Sequence, residues 1–219
     1  MVAAAEQVEP LGRVARKRIR RVNEIMRVAA EVLGERGYQG TSLEEVADRL
    51  DLAKASLYHY FDSKEALVSA CLATAAEELI GRLAAIASGK AGATDRLRML
   101  IIEQVRFTTY EFPELSRLFL RHLDWPESIE ARIHDWQARH DAIFKQVIEA
   151  GEADGEFRVA DRAVARQCLI GAVNSVPFWG YKPDGRYPVD ELVEMVADSV
   201  MGTFGVRPGR RRSPQTDRT

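Results

Sequence analysis

Apolar residues recur at three- and four-residue steps along almost the whole chain, and this periodicity restricts most strongly how the chain can fold. A period near 3.6 predicts amphipathic α-helices, whereas the two-residue alternation typical of strands is scarce. The helical runs end at Phe112-Pro113, at Trp125-Pro126, and over 151–155 and 181–188, where proline or glycine stops a helix. The sequence therefore predicts an all-α protein, with a small N-terminal domain before a larger helical one.

Capping signals mark the ends of the predicted N-terminal helices. Gly37 follows the last apolar position of the first helix, where a left-handed residue commonly ends a helix. Thr41-Ser42 followed by Glu44-Glu45 forms a capping-box pattern, which predicts the start of a second helix. The predicted helices cover about 16–36, 43–50, 53–60, 63–88, 94–110, 114–122, 128–150, 161–179 and 189–204.

Composition places the chain among ordinary folded proteins and excludes several classes. Its 219 residues are 46% hydrophobic and 29% charged, so it can bury a core. No run approaches the ~20 apolar residues of a membrane span, and the N-terminus does not have the pattern of a secretory signal. Cys71 and Cys168 lie far apart and are interpreted as small buried thiols in a reducing cytoplasm, without a zinc site or disulfide framework.

The formal net charge of −2 argues against a nucleic-acid binder until it is divided along the chain. Residues 1–64 hold 11 basic and 10 acidic residues, residues 65–206 hold 15 and 22, and residues 207–219 hold 5 and 1. Between Arg13 and Arg21 lie six basic residues and no acidic one. This run suits DNA phosphates, although charge alone fits a solvated helix start equally well. A flexible basic arm over 1–15 and a disordered basic tail over 207–219 are expected.

Two short helices joined by a tight turn, after a longer first helix, describe a helix-turn-helix motif, in which the second short helix reads the major groove of DNA. Leu57 and Phe61 are spaced to face the core. The side chains left free to face DNA are those of Lys54, Ala55, Ser56 and Tyr58. A lysine can donate to guanine, a serine to several bases, and an alanine methyl can contact thymine. A helical hairpin used only for packing is the alternative.

The residues of this motif resemble those of a known family. Residues 40–47, GTSLEEVA, and residues 55–67, ASLYHYFDSKEAL, are similar to the DNA-binding domain of TetR-family transcriptional regulators, over about 16–67. The resemblance implies a dimeric, all-helical repressor with a helix-turn-helix DNA-binding domain over 16–67 and a ligand-binding and dimerisation domain over 68–206. Its implied partners are a palindromic double-stranded DNA operator, a small-molecule effector and a second copy of the chain.

Matching positions within this family imply the residues that contact DNA. By this resemblance, the phosphate contacts are Thr41, Ser42, Tyr58, Tyr60 and Lys64, and the base readers are Lys54, Ala55 and Ser56. Arg16 and Lys17 of the basic run are added to them. Two positions depart from the family pattern. Asp51 replaces the usual turn glycine, which adopts a left-handed conformation more readily. Ala53 stands where serine commonly caps the reading helix, so this helix start is expected to be looser in the free protein.

The last two helices are predicted to form a dimer face, with an ordinary intrachain core as the alternative. The apolar stripe of the last helix consists of Val189, Val193, Val196, Val200 and Phe204. On the helix before it, Gly171, Ala172 and Ser175 are small enough to let another helix approach closely. Two half-sites on DNA require two reading helices, which favours a homodimer.

Polar residues on otherwise apolar stripes indicate an effector pocket. Gln104, His140 and Asn174 can orient a largely apolar effector, with Trp136 and Trp179 beside them. The alternative for each polar residue is a hydrogen bond satisfied within the protein.

Residues 179–186, WGYKPDGR, are similar to an element common in regulators of fatty-acid and steroid catabolism. Those regulators often respond to acyl-CoA thioesters. Lys182 and Arg186 could meet the CoA phosphates, whereas the preceding helix offers no basic residue there. An acyl-CoA or a related lipid or steroid catabolite is therefore one hypothesis for the effector.

An enzymatic site does not assemble from the sequence. There is no GxSxG, HExxH, GxGxxG or GxxxxGK pattern. His134 and His140 lie six residues apart and not on one helix face, which makes a poor metal pair, so neither a metal nor a cofactor is expected. A ligand-dependent activator or a co-repressed regulator remains an alternative, as does a helical adaptor without DNA binding. The presence of Lys54, Tyr58 and Lys64 speaks against the adaptor.

Overall fold

The computed structural model describes residues 13–120, 125–180 and 187–206. Within these ranges every regular element is a helix, which confirms the predicted fold class. The chain divides into two compact units, Met1–Ala73 and Thr74–Thr219, and each is described by itself. The expected arm, as far as residue 12, and the expected tail over 207–219 lie outside the described residues.

The first unit contains α1 (Arg13–Gly40), α2 (Leu43–Arg49), α3 (Lys54–Tyr58) and the beginning of α4 (Lys64–Ala87). Gly37 interrupts α1 with a φ of +67°, the positive φ for which glycine is favoured. Ser42 caps α2, because its hydroxyl oxygen accepts a hydrogen bond from the backbone N–H of Glu45 at 3.1 Å. The predicted start of the second helix at Ser42 is therefore confirmed.

The core of the first unit consists of the inward faces of these four helices. Its fully buried side chains include Ile25, Val32, Val46, Leu57 and Leu67. Leu57 is the buried anchor of α3, as predicted, whereas Phe61 is only partly buried.

Cys71 is buried, and this burial raises the pKa of its thiol to about 12. The prediction was wrong for Cys168, which is exposed on the outer side of its helix.

The second unit contains the rest of α4, then α5 (Ala93–Arg106), α6 (Pro113–Phe119), α7 (Glu127–Ala153), α8 (Arg162–Trp179) and α9 (Val189–Met201). Helix α5 packs against α7, α8 and α9, and Leu97, Leu100 and Ile101 on it are completely buried. The core of this unit therefore surrounds α5. None of the helices in the described ranges is both long enough and apolar enough to cross a membrane.

The apolar stripe of α9 faces inward. Val193, Val196, Val200 and Phe204 are all buried within the single chain, where α9 packs against α5. The prediction of a dimer face on this stripe is therefore corrected, and the alternative of an intrachain core applies. Gly171, Ala172 and Ser175 on α8 are exposed instead.

A π-helical turn at Phe107–Glu111 follows α5 and was not predicted. Two local features account for it. Pro113 disfavours the helical conformation at the preceding residue, and Phe112 has φ −133° and ψ 53°. The hydroxyl of Thr108 donates to the carbonyl of Gln104 at 2.8 Å, which competes with the regular helix ladder. The continuous helix predicted as far as residue 110 therefore changes its hydrogen-bond pattern at Phe107.

Candidate nucleic-acid interface and effector pocket

Helix α3 presents a polar surface above a single buried anchor. The exposed side chains are Lys54, Ala55, Ser56 and Tyr58, while Leu57 is completely buried. Tyr58, with 41% of its surface exposed, is a large side chain left open to solvent. The four residues that the sequence assigned to face DNA therefore lie together on the accessible side of α3.

Both departures from the family pattern are visible where α3 begins. Asp51 adopts a left-handed conformation with φ 52°, which non-glycine residues rarely adopt. Ala53 occupies the N-cap position, and its side chain makes no capping hydrogen bond. The turn is closed instead by backbone bonds, including one from Leu52 N–H to the carbonyl of Ala47 at 2.9 Å.

Lys54 forms an ion pair with Glu44 on α2, and its ammonium lies 5.8 Å from the centroid of the Tyr58 ring. The hydrogen bond between the two side chains raises the pKa of Lys54 and lowers the pKa of Glu44. The two side chains are 56% and 46% exposed, so solvent screens the pair. Lys54 therefore has an acidic partner, Glu44, within the motif, and its ammonium must leave this carboxylate in order to contact a base.

Lys64 is held against α1 at the start of α4. Its ammonium donates to the backbone carbonyl of Gln39 at 3.3 Å and lies 4.3 Å from the centroid of the Tyr38 ring. Tyr60 is partly buried, with the guanidinium of Arg18 5.8 Å from its ring centroid. Ser42 is partly buried as the N-cap of α2.

Thr41 is placed differently from the expectation of a phosphate contact. Its side chain is only 2% exposed, and its hydroxyl donates to the carbonyl of Gly37 at 2.7 Å. This correction makes Thr41 a residue that links the end of α1 to the start of α2. A buried hydroxyl with a satisfied donor is not available to DNA.

The basic run lies in the first turns of α1. Lys17, Arg18 and Arg20 are exposed, and Arg21 forms an ion pair with Glu24 at 2.8 Å. Arg16 belongs to the same helix, but its side chain lies outside the part that the structure describes. The start of α1 is therefore an exposed cationic segment that leads into the helix-turn-helix motif.

The second unit contains a pocket of about 380 Å³, within the size range of small-molecule sites. It is lined by residues of α4, α5, the π-helical turn, α6, α7 and α8. Four of the five predicted ligand residues line it: Gln104, Trp136, His140 and Asn174. Most of the other lining side chains are apolar, among them Leu79, Ile80, Leu115 and Phe119.

Three of these polar side chains form a hydrogen-bonded relay. The ring Nε2 of His140 lies 2.7 Å from Oε1 of Gln104, and Nε2 of Gln104 donates to Oδ1 of Asn174 at 2.8 Å. Burial lowers the pKa of His140 to about 4, while Asp141 opposes this shift. The imidazole is therefore neutral at physiological pH, and the relay carries no net charge.

Trp136 connects the pocket wall to α4. Its indole N–H donates to the carboxylate of Glu77 at 2.9 Å, and the guanidinium of Arg139 binds both oxygens of that carboxylate at 2.7 Å. The hydrogen bonds from Arg139 and then from Trp136 lower the pKa of Glu77 to about 2. Glu77 is therefore ionised and ties α4 to α7.

Trp179 does not line the pocket, which corrects its assignment as a ligand residue. Its side chain is 47% exposed, and its indole N–H donates to the hydroxyl of Ser175 one turn earlier at 3.1 Å. Lys182 and Arg186, considered for CoA phosphates, lie outside the described residues.

The walls that α4, the π-helical turn and α6 contribute to the pocket were not predicted from the sequence. These walls include Ala75, Leu79, Phe107 and Leu115. Such side chains have the spacing of any helix core, so no sequence signal separates them from residues that pack against protein. Among the described residues, no group of three histidine, cysteine or acidic side chains could hold a metal ion.

Comparison with known proteins identifies matching families for both parts of the chain. The family described as bacterial regulatory proteins, tetR family, matches residues 25–71. The family described as the tetracyclin repressor-like C-terminal domain matches residues 90–204.

Individual relatives extend over nearly the whole chain. The HTH-type transcriptional repressor KstR2 of Mycobacterium tuberculosis is 33% identical over 197 residues, covering 88% of this chain and 96% of the relative. KstR2 of Rhodococcus jostii is 27% identical over 189 residues, covering 83% and 89%. The crystal structure of AibR in complex with isovaleryl coenzyme A and operator DNA matches with a TM-score of 0.72 and 25% identity, covering 84% of this chain and 98% of AibR.

Proposed function

Because the chain belongs to the TetR family of transcriptional regulators, we propose that it is a repressor that binds a palindromic operator as a homodimer and leaves the DNA when a largely apolar effector binds. The observation that carries this proposal is the exposed polar surface of α3 above its buried anchor Leu57. A short helix with this division of faces suits the major groove. The family and the relatives above are regulators, not enzymes.

On DNA, Lys54 and Ser56 read base edges from the major groove, and the Ala55 methyl contacts thymine. Tyr58, Tyr60, Ser42 and Lys64 lie around α3 in the helix-turn-helix unit and contact the phosphates, which set the position of the helix without reading sequence. Arg16 and Lys17 add phosphate contacts from the start of α1.

The homodimer is supported by an apolar surface on α8. Val164 is 61% exposed, and Phe178 and Trp179 are each 47% exposed. Between them, the small residues Gly171 and Ala172 let a second helix approach closely. Large exposed apolar side chains that share one helix are typical of an interaction surface. A two-fold dimer through α8 would supply the two reading helices that a palindrome requires.

The effector we propose is an acyl-CoA or a related lipid or steroid catabolite. Its apolar part would occupy the pocket of the second unit. The pocket is mostly apolar with a polar relay at Gln104, His140 and Asn174. This matches the general pattern of ligand sites, in which a few polar groups orient an apolar ligand. A structure similar to this chain, that of AibR, contains isovaleryl coenzyme A and operator DNA.

Helix α4 is the element through which the effector acts. Its beginning supplies Leu67 and Cys71 to the core of the helix-turn-helix unit, and its later residues Leu79 and Ile80 line the pocket. A ligand changes an equilibrium only if it binds two conformations with different affinity. We infer that these two conformations differ in the position of α4.

Operator selection from random double-stranded DNA, repeated with octanoyl-CoA, octanoate and a steroid, tests this function. We expect an enriched inverted repeat, and weaker binding to it in the presence of the CoA ester. Failure to enrich any sequence would contradict the DNA-binding role. If the protein bound the operator more tightly with the CoA ester, the ester would be a co-repressor and would not release the protein from DNA. If the CoA ester had no effect on operator binding, acyl-CoA would be excluded as the effector.

A further inference from the structure

The polar relay in the pocket has a defined direction. Oε1 of Gln104 can only accept a hydrogen bond, so His140 donates to it from Nε2 at 2.7 Å. Gln104 then donates from its own Nε2 to Oδ1 of Asn174 at 2.8 Å. The relay therefore ends at the amide nitrogen of Asn174, which has two N–H donors. Within the described part of the chain, no group accepts a hydrogen bond from this nitrogen.

The amide of Asn174 lies at the wall of an apolar cavity. Asn174 lines the pocket together with side chains such as Ile170, Phe107 and Leu115. A donor that loses water without gaining an acceptor costs free energy. A ligand that fills the pocket is therefore favoured if it brings a hydrogen-bond acceptor to Asn174.

The charges around the pocket select which acceptor is favoured. Among the described lining residues, only His140 and Asp141 are ionisable. Burial keeps His140 neutral at pH 7 by lowering its pKa to about 4. Asp141 is acidic, and its carboxylate is already paired with the guanidinium of Arg166 at 3.1 Å. A ligand carboxylate would therefore meet no free cation among the described lining residues, and a hydrogen bond from Asn174 alone would not offset the desolvation of its charge.

We propose that the amide nitrogen of Asn174 binds an uncharged carbonyl oxygen, so that the pocket accepts an ester, thioester or ketone and rejects the corresponding free carboxylate. This inference rests on the proposed effector pocket and specifies the chemistry of its ligand. Gln104 and His140 are positioning residues, because they hold the Asn174 amide with its nitrogen free. The pocket thereby distinguishes an activated or ketonic metabolite from its hydrolysed acid.

Three small-molecule probes that share an eight-carbon chain test the carbonyl site in the full-length protein. Methyl octanoate offers an uncharged carbonyl, octanoate offers a carboxylate, and octane offers neither. We expect methyl octanoate to bind about tenfold more tightly than octane, the value of roughly one hydrogen bond. We expect octanoate to bind about a hundredfold more weakly than the ester, because its charge is desolvated. Dissociation constants from thermal-shift titrations at pH 7.5 give these ratios.

Two variants at Asn174 assign the effect to its amide nitrogen. Asn174→Asp keeps the oxygen that Gln104 binds but removes the free donor, and Asn174→Leu removes both. In each variant the tenfold preference for methyl octanoate over octane should disappear. Gln137→Leu is the matched control, since it makes the same kind of substitution at a lining residue outside the relay. Its preference for the ester should remain.

The inference is overturned if octanoate binds as tightly as methyl octanoate, if both Asn174 variants keep the ester preference, or if none of the three probes binds. Operator binding, measured on the same preparation, separates this inference from the proposed function. An ester preference without operator binding would contradict the regulatory role alone. Operator binding without an ester preference would contradict the carbonyl site alone.

Discussion

Lys54 and Lys64 are held in different ways, which predicts different defects when each is removed. Lys54 lies on α3 and pairs with Glu44, so Lys54→Ala should change which bases are preferred at one position of each half-site. The ammonium of Lys64 is held by the Gln39 carbonyl and the Tyr38 ring, and it is proposed to contact a phosphate. Because phosphates do not differ between sequences, Lys64→Ala should weaken binding to every operator by about fivefold. Affinities for a set of base-substituted operators distinguish the two outcomes.

Tyr58→Ala should act like Lys64→Ala, because the exposed ring is assigned to a phosphate. Lys145→Ala, at an exposed position of α7, is the matched control and should leave operator binding unchanged. If Lys54→Ala left the preferred operator unchanged base by base, the proposed orientation of α3 on DNA would be wrong.

His140 predicts that stability depends on pH in the acidic range. The folded-state pKa is about 4, below the usual value near 6.5. Between these values the unfolded chain binds a proton at this position and the folded chain does not. The free energy of unfolding should therefore fall as the pH is lowered from 6.5 towards 4, by at most about 1.4 kcal/mol per pH unit from this group.

His140→Gln preserves a donor for Gln104 but does not titrate. The difference in unfolding free energy between the wild type and His140→Gln should be constant above pH 7 and should change steadily below pH 6.5. Urea denaturation at a series of pH values measures this difference. Parallel curves down to pH 4 would show that the imidazole titrates normally.

At the scale of a helix, α8 offers a direct test of the homodimer. A Cβ added at Gly171 would meet no atom of its own chain within 4 Å, so Gly171→Arg should not disturb the fold of a single chain. In a dimer through α8 the arginine would prevent close approach of the second helix. We therefore expect Gly171→Arg to yield monomers whose unfolding temperature, at monomer-forming concentrations, is no lower than that of the wild type, since arginine favours a helix more than glycine does.

Gly81→Arg on α4 is the matched control, because a Cβ there also meets nothing within 4 Å. Light scattering should show dimers for the wild type and for Gly81→Arg, and monomers for Gly171→Arg. A wild type that is monomeric at working concentration would contradict the dimer, and dimeric Gly171→Arg would place the interface elsewhere.

The helices themselves were predicted closely because local signals set their ends. Ser42 and Asp161 act as N-caps with side-chain hydrogen bonds, and Pro113 lies at the first turn of α6. The π-helical turn was missed because it results from a competition between hydrogen bonds at Thr108 and the restriction before Pro113. Periodicity does not measure that competition.

At the scale of the whole molecule, the near-neutral net charge is the sum of segments with different roles. The exposed cations Lys17 and Arg20 lie at the start of α1, whereas residues 65–206 hold 22 acidic and 15 basic residues. Each phosphate neutralised on duplex DNA contributes about −0.9 to the slope of log affinity against log salt. In a homodimer, Lys17→Gln combined with Arg20→Gln removes two cations from each protomer and four in total, so it should make that slope shallower by about 3.6.

The same double substitution at Lys90 and Lys145, both exposed in the second unit, is the control and should leave the slope unchanged. Operator titrations at several salt concentrations give the slopes. If Lys17→Gln with Arg20→Gln has no effect on the slope, the basic run is a solvated helix start without phosphate contacts.

The all-α fold, the helix-turn-helix motif and the inward position of Leu57 follow from local sequence, because capping, proline restriction and helical period depend on neighbours along the chain. Packing between helices sets which apolar face of α9 is buried, encloses Thr41 and leaves Trp179 outside the pocket. Packing also joins Gln104 to His140 and Asn174, which lie 36 and 70 residues away in sequence. These outcomes depend on which helix faces meet, and a single helix with several apolar faces does not specify its neighbours.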